Sequence, residues 1–195
     1  KPLWWVRGLS RIVDTTPVTT PKRLYVASWT PGGDLSERIS MEPFLEALAK
    51  LDKDKNKKIA KTELPEGSPV GARFFRIDLD QDKELDAAEW KHHANVFKNA
   101  QNVAMSVLPG GRGDVTETHV EWLSREGLPV VPSPAIYKGL LYMVKNGGIL
   151  TSLDARTGKR THRGRIPGRG SYYASLVAGD GKIYACNEAG VMSII

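Results

Sequence analysis

The chain repeats itself, and that repeat limits the folds open to it. Ser133-Pro134, then Gly139-Leu140-Leu141-Tyr142, then Gly148-Ile149 recur 42 residues later as Ser175, Gly181-Lys182-Ile183-Tyr184 and Gly190-Val191. A further copy lies near the beginning, where Trp5, Pro17, Leu24 and Tyr25 stand 117 residues before Trp122, Pro134, Leu141 and Tyr142. One 42-residue period taken from 117 leaves about 75 residues, so a segment of that size interrupts the first unit. Within the clearest unit, Leu140–Lys145 and Ile149–Asp154 are short β-prone runs joined by Asn146-Gly147, a strong hairpin signal. Thr157-Gly158 then turns the chain into a run from Arg160 to Ile166.

Repeats of roughly 40 to 45 residues with several short strands are the mark of a β-propeller blade. The elements Ser133-Pro134, Gly139-Leu-Leu-Tyr142, Gly148-Ile-Leu-Thr-Ser-Leu153-Asp154 and Thr157-Gly158-Lys159 resemble the pyrroloquinoline-quinone (PQQ) type of propeller repeat, with its pattern SP, GxLY and GxLxxLDxxTGK. The resemblance covers about residues 1 to 30 and 115 to 195. It implies a mainly β fold, propeller blades in an incomplete ring. Fewer than three units remain once the interrupting segment is set aside, and a ring takes at least four blades. The chain is therefore expected to be a piece of a longer protein whose remaining blades, or self-association, would cover its sheet edges. The Trp that commonly packs between blades in this family is present as Trp5 and Trp122, but Gly164 stands 42 residues after Trp122, with His162 close by.

The interrupting segment carries two twelve-residue acidic loops. In the first, Asp52, Asp54, Asn56 and Glu63 occupy positions one, three, five and twelve; in the second, Asp78, Asp80, Asp82 and Glu89 do. A hard cation such as Ca²⁺ takes six to eight oxygens, and the seventh loop residue gives a backbone carbonyl, here Lys58 and Glu84. The pattern resembles the EF-hand and implies two calcium sites, the second the better because Asp86 stands at its ninth position where the first has Ala60. Position six, normally Gly, holds Lys57 and Lys83. Apolar residues at helical spacing flank both loops: Met41, Phe44, Leu48 and Leu51 after a Ser40 cap; Val70, Phe74 and Ile77 after Ser68-Pro69; and Trp90, Ala94 and Phe97. Ile59 and Leu85 are expected to face each other across the loops. The reading divides the chain into a first blade portion at 1–35, an inserted α-helical EF-hand pair at 36–105 and continuing blades at 106–195. Glycine-containing stretches at Thr30 to Asp34 and Gly110 to Asp114 carry the chain out and back.

Charge and composition narrow the chemistry. The net charge is +6, yet residues 40 to 100 hold 11 basic and 12 acidic side chains, so the excess lies in the repeats, densest at Lys159, Arg160, Arg163, Arg165 and Arg169. Such residues line exposed strands or meet an acidic partner. No aromatic-basic motif points to nucleic acid, and no apolar run is long enough for a membrane span. PQQ dehydrogenases of the resembled superfamily use a vicinal cysteine disulfide, which Cys186 alone cannot supply. PQQ is therefore not an expected cofactor, and no catalytic residues are assigned. Neither His92-His93 nor His119 nor His162 sits in a recognisable nucleophile or metal motif, and Gly110-Gly-Arg-Gly113-Asp114 lacks the lysine and the helix of a phosphate loop.

The expectation is a calcium-binding, non-enzymatic β-propeller scaffold with protein or glycan partners, exported to the periplasm or cell surface as the resemblance implies. Two alternatives stand beside it. One is a fragment of a PQQ-dependent alcohol or sugar dehydrogenase whose missing blades supply the quinone site, and the other is an EF-hand calcium sensor.

Overall fold

The computed structural model describes residues 3–30 and 39–195, and for residues 97–99 the backbone. The chain divides into two compact units, residues 1–34 with 100–195, and residues 35–99. The first unit is mainly β, built of several antiparallel sheets, none of which closes on itself.

Its chain opens with β1 (Trp4–Trp5), β2 (Val18–Thr20) and β3 (Arg23–Ser28). After the second unit it continues through β6 (Val103–Val107), β7 (Gly113–Asp114) and β8 (Val120–Ser124). The first large sheet has the order β2-β3-β6-β8, while β1 and β7 form a short parallel pair beside it in the chain. The second is a meander of β9 (Ala135–Tyr137), β10 (Leu140–Lys145), β11 (Ile149–Asp154) and β12 (Arg160–Arg165). The third has β13 (Val177–Gly179), β14 (Lys182–Cys186) and β15 (Met192–Ile194).

The repeat read from the sequence is reproduced in the hydrogen-bond register. Val18 pairs with Tyr25, Ala135 with Tyr142, and Val177 with Tyr184, the same pairing at the same two offsets of 117 and 42 residues. The next strand agrees: Tyr25 faces Ser106 as Tyr142 faces Ser152, and a register shift follows each serine. Lys145 and Ile149 close one hairpin, and their counterparts Ser28 and Val103 close the other. Three residues thus fill the second loop, whereas residues 29–102 fill the first. The interruption is one hairpin loop grown long, a substitution that leaves the sheet intact because both ends of the loop stay paired.

Alternation along the strands sorts side chains between neighbouring sheets. Leu141, Met143 and Leu153 face the first sheet and pack with Tyr25, Ala27 and Ala104, while Val144 and Leu150 face the third and pack with Ile183, Ala185 and the buried Tyr172. The second sheet is consequently apolar on both faces, and each such leucine or methionine contributes roughly 1.5 to 3 kcal/mol of burial. Trp122 spans the first gap: its indole Nε1 donates to the Ala155 carbonyl at 3.2 Å, and its ring lies on Gly158. A second tie uses three equivalent hydroxyl residues of the repeat. The Thr16 amide donates to Ser133 Oγ at 2.8 Å and the Ser133 amide donates to Ser175 Oγ at 3.1 Å, linking equivalent positions of three successive repeats.

Several expectations shift here. The counterpart of Trp122 is His162, since Ser152 faces His162 as Ser106 faces Trp122; the connections between strands differ in length between the two sheets, which moves the match away from Gly164. Trp5 is half exposed in β1. The chain rejoins the sheets at Val103, ahead of the Gly110 to Asp114 stretch, whose Gly113 and Asp114 pair with Trp4 and Trp5. Residues 31–34 of the outgoing stretch lie outside the described residues.

The second unit holds α1 (Phe44–Leu51), the two-residue β4 (Ile59–Ala60), a 3₁₀ turn at Lys61–Glu63, α2 (Pro69–Ala72), α3 (Phe74–Ile77), β5 (Glu84–Leu85) and α4 (Ala87–Asn99). Ser68 caps α2, its Oγ accepting the Gly71 amide at 3.4 Å, with Pro69 in the first helical position. The first helix begins at Phe44 behind Pro43 without a side-chain cap, so Ser40 does not serve as one. Ala47, Ile59, Val70, Phe74, Ile77, Leu85 and Trp90 form this unit's core, Phe44 packing on Trp90 at a ring separation of 5.9 Å.

Candidate metal centre

The two acidic loops meet back to back. β4 and β5 pair antiparallel with Ile59 opposite Leu85, both fully buried, as the equal loop spacing predicts. This contact fixes the loops as a pair, because two apolar side chains seven residues beyond Asp52 and Asp78 share one dry interface.

Each loop is wound by its own acidic side chains. Asp52 Oδ2 accepts the Lys57 amide at 3.0 Å and Asp78 Oδ2 accepts the Lys83 amide at 3.1 Å, a bond from position one to position six in both. Further along, Asp54 accepts from Asn56, Asn56 from Lys58, Asp80 from Asp82 and Asp82 from Glu84, at 2.8 to 3.2 Å. These local bonds turn the chain so that successive odd-numbered side chains converge. Lys57 at φ 68° and Lys83 at φ 73° adopt the left-handed conformation that the missing glycines would have made cheap. Each costs about 1 to 2 kcal/mol, which the loop bonds and the Ile59–Leu85 contact offset.

The glutamates at position twelve are buried and brace the loops. Glu63 Oε1 accepts the Lys53 amide at 2.6 Å and Oε2 the Ala60 amide at 2.9 Å; Glu89 Oε1 accepts the Leu79 amide at 2.6 Å and Oε2 the Asp86 amide at 3.1 Å. Backbone donors hold the Glu63 carboxyl below its ordinary range. The second loop adds a reciprocal bond that the first cannot make, since Asp86 Oδ1 accepts the Glu89 amide at 2.9 Å whereas Ala60 has no side-chain oxygen. Asp86 thus also caps α4.

Carboxylate oxygens of Asp52, Asp54 and Glu63 lie within 4.8 Å of one another, and so do those of Asp78, Asp80 and Asp82. Oxygens bound to one ion at 2.3 to 2.6 Å stand at most about 5 Å apart, so either cluster could hold a metal ion. Asp78 makes the stronger case. It is only 8% exposed, and its Oδ1 is buried without a hydrogen-bond partner, a costly arrangement for a carboxylate that a cation would relieve. Glu89 stands outside the second triad, its oxygens turned to the backbone, and Asn56 bridges the loops by donating to Glu84 Oε1 at 2.7 Å.

Lys58 has a part that spacing did not reveal. Its ammonium pairs with Asp82 Oδ2 and reaches Glu84 Oε2 at 3.6 Å, so position seven of one loop neutralises positions five and seven of the other. That hydrogen bond holds the Asp82 carboxyl low and the Lys58 ammonium high. Of the histidines after the second loop, His93 is buried and His92 exposed. Phe97 lies on α4 with its side chain outside the described residues.

No family model matches this chain, and no curated protein matches it.

Proposed function

We propose that the chain is a calcium-binding, non-enzymatic scaffold in which a pair of EF-hand loops is inserted into one hairpin of a PQQ-type β-propeller segment. The observation that carries the reading is the second loop: three carboxylates within 4.8 Å, one of them Asp78, buried with an unpartnered oxygen. Hard oxygen donors, with no sulfur or imidazole among them, favour calcium over softer ions. Three hairpins in one register, two of them separated by 42 residues, support the propeller reading. When bound, an ion in each loop neutralises carboxylates that otherwise repel; Asp52, Asp54 and Glu63 would hold one, and Asp78, Asp80 and Asp82 the other.

Calcium titration by calorimetry tests the reading. Binding at the loops is expected, with Asp78→Ala weakening it more than Ala88→Ser, a change on the same helix-loop segment outside the ligand set. Absence of any calcium heat in the unaltered chain refutes the metal reading. Bound calcium stabilises the unit by about 2.7 kcal/mol at a hundredfold excess over Kd, so chelation should raise hydrogen exchange across residues 40–99 and leave β10 and β11 protected.

A further inference from the structure

The first unit contains a cavity of about 310 Å³ lined by Trp29, Asn102, Arg125, Glu126, Lys145 and Arg163, with Gly127 and Leu128 at its floor. Its residues come from separate elements: Trp29 follows β3, Asn102 precedes β6, Arg125 and Glu126 follow β8, Lys145 ends β10 and Arg163 lies in β12. In each of the two antiparallel sheets that supply them these positions lie toward one end, so the fold gathers three cations from distant parts of the chain at one opening. A charge run along a single strand would not do this.

The walls are braced. Asn102 Oδ1 accepts the Thr30 amide at 2.9 Å and its Nδ2 donates to the Thr30 carbonyl at 3.2 Å, which holds the strand end that carries Trp29. Gly127 at φ 61° runs so close to the second sheet that a Cβ there would lie 1.9 Å from Thr151 Oγ1. Lys145 places its ammonium 5.7 Å from the centre of the Trp29 ring, and Arg125 donates to Gln101 Oε1. Glu126 keeps one oxygen on Arg160.

We propose that this cavity binds a carboxylate-bearing saccharide, one uronate unit of an acidic glycan. Three cations receive the carboxylate. The Glu126 carboxylate accepts ring hydroxyls and disfavours an inorganic anion, and the Trp29 indole in the lining gives the sugar an apolar wall. The volume admits about one sugar ring. All these residues lie outside 35–99, so the proposal stands apart from calcium binding and survives its failure.

The test is titration calorimetry of the full chain, at one fixed calcium concentration, with a glucuronate oligosaccharide, its neutral glucose counterpart and inorganic phosphate. Saturable binding of the uronate is expected, about tenfold or more tighter than either control. Lys145→Glu and Arg163→Glu should each weaken it about tenfold, while Lys159→Glu, in the same basic tract but outside the cavity, should leave it unchanged. Equal losses from Lys159→Glu would mean diffuse surface charge, and equal affinity for phosphate would mean an unselective anion site; either overturns the proposal. So would uronate binding indifferent to both reversals, or no saturation at millimolar ligand.

Discussion

Replacing Gly158 by alanine probes whether Trp122 joins the first two sheets. Gly158 has φ 69°, and a Cβ there would lie 2.5, 2.7 and 2.8 Å from three atoms of the Trp122 indole. Left-handed backbone costs alanine about 1 to 2 kcal/mol, and forcing a methyl into a ring face about 1 to 3 kcal/mol more. Reduced freedom of the unfolded chain returns about 0.4 to 1 kcal/mol. The net destabilisation is about 1 to 4.5 kcal/mol. Gly139 is the control, with φ 76° and no atom within 4 Å of its built Cβ, so its alanine variant bears the backbone cost alone. Native-state hydrogen exchange of the β10 and β11 amides reads the difference, which should make Gly158→Ala exchange roughly 5 to 150 times faster than Gly139→Ala. In a Trp122→Ala background that excess should vanish, because the clashing ring is gone. Equal exchange in the two glycine variants would refute the proposed packing.

Further outcomes follow from the charged groups. Hydrogen bonding from Arg23 depresses Glu121 below its ordinary value of 4.5, and Thr157 depresses Asp154 below 3.8. Groups lowered by folding contribute stability that is complete above the ordinary value and lost as pH falls through the folded one. Urea midpoints of the first unit should therefore stay flat above about pH 5 and fall below about pH 4, with Glu121→Gln flattening the slope. In the second unit, Lys58→Met removes the cation seated on Asp82, so calorimetry should show calcium affinity rising a few-fold; unchanged or weaker binding would mean that Lys58 does not compete for that carboxylate. Glu89→Gln should loosen the second loop more than Glu63→Gln loosens the first, seen as faster exchange of the Leu79 and Asp86 amides against those of Lys53 and Ala60.

What the sequence determined by itself were the features written in local spacing. Strands 140–145 and 149–154 were legible because two β-prone runs meet at Asn146-Gly147, and the Ile59–Leu85 pairing because both loops have one length. The twelve-residue pattern contains both triads that converge in space, though Glu89, which it also includes, stays outside the second. The repeat offsets of 42 and 117 survive in the register because pairing between adjacent strands depends only on the short turns between them. Other features needed the assembled sheets. That Asp86 also caps a helix is seen only in its reciprocal bond with Glu89. His162 as the counterpart of Trp122 depends on strand connections of unequal length in the two sheets, which no fixed offset can show. The return at Val103 rested on pairing with Ser28, 75 residues back, where chain order carries no signal of distance. The Thr16–Ser133–Ser175 ladder, the Lys58 bridge and the meeting of Arg125, Lys145 and Arg163 likewise arise from contacts between segments, and packing alone sets which of many exposed side chains come within reach.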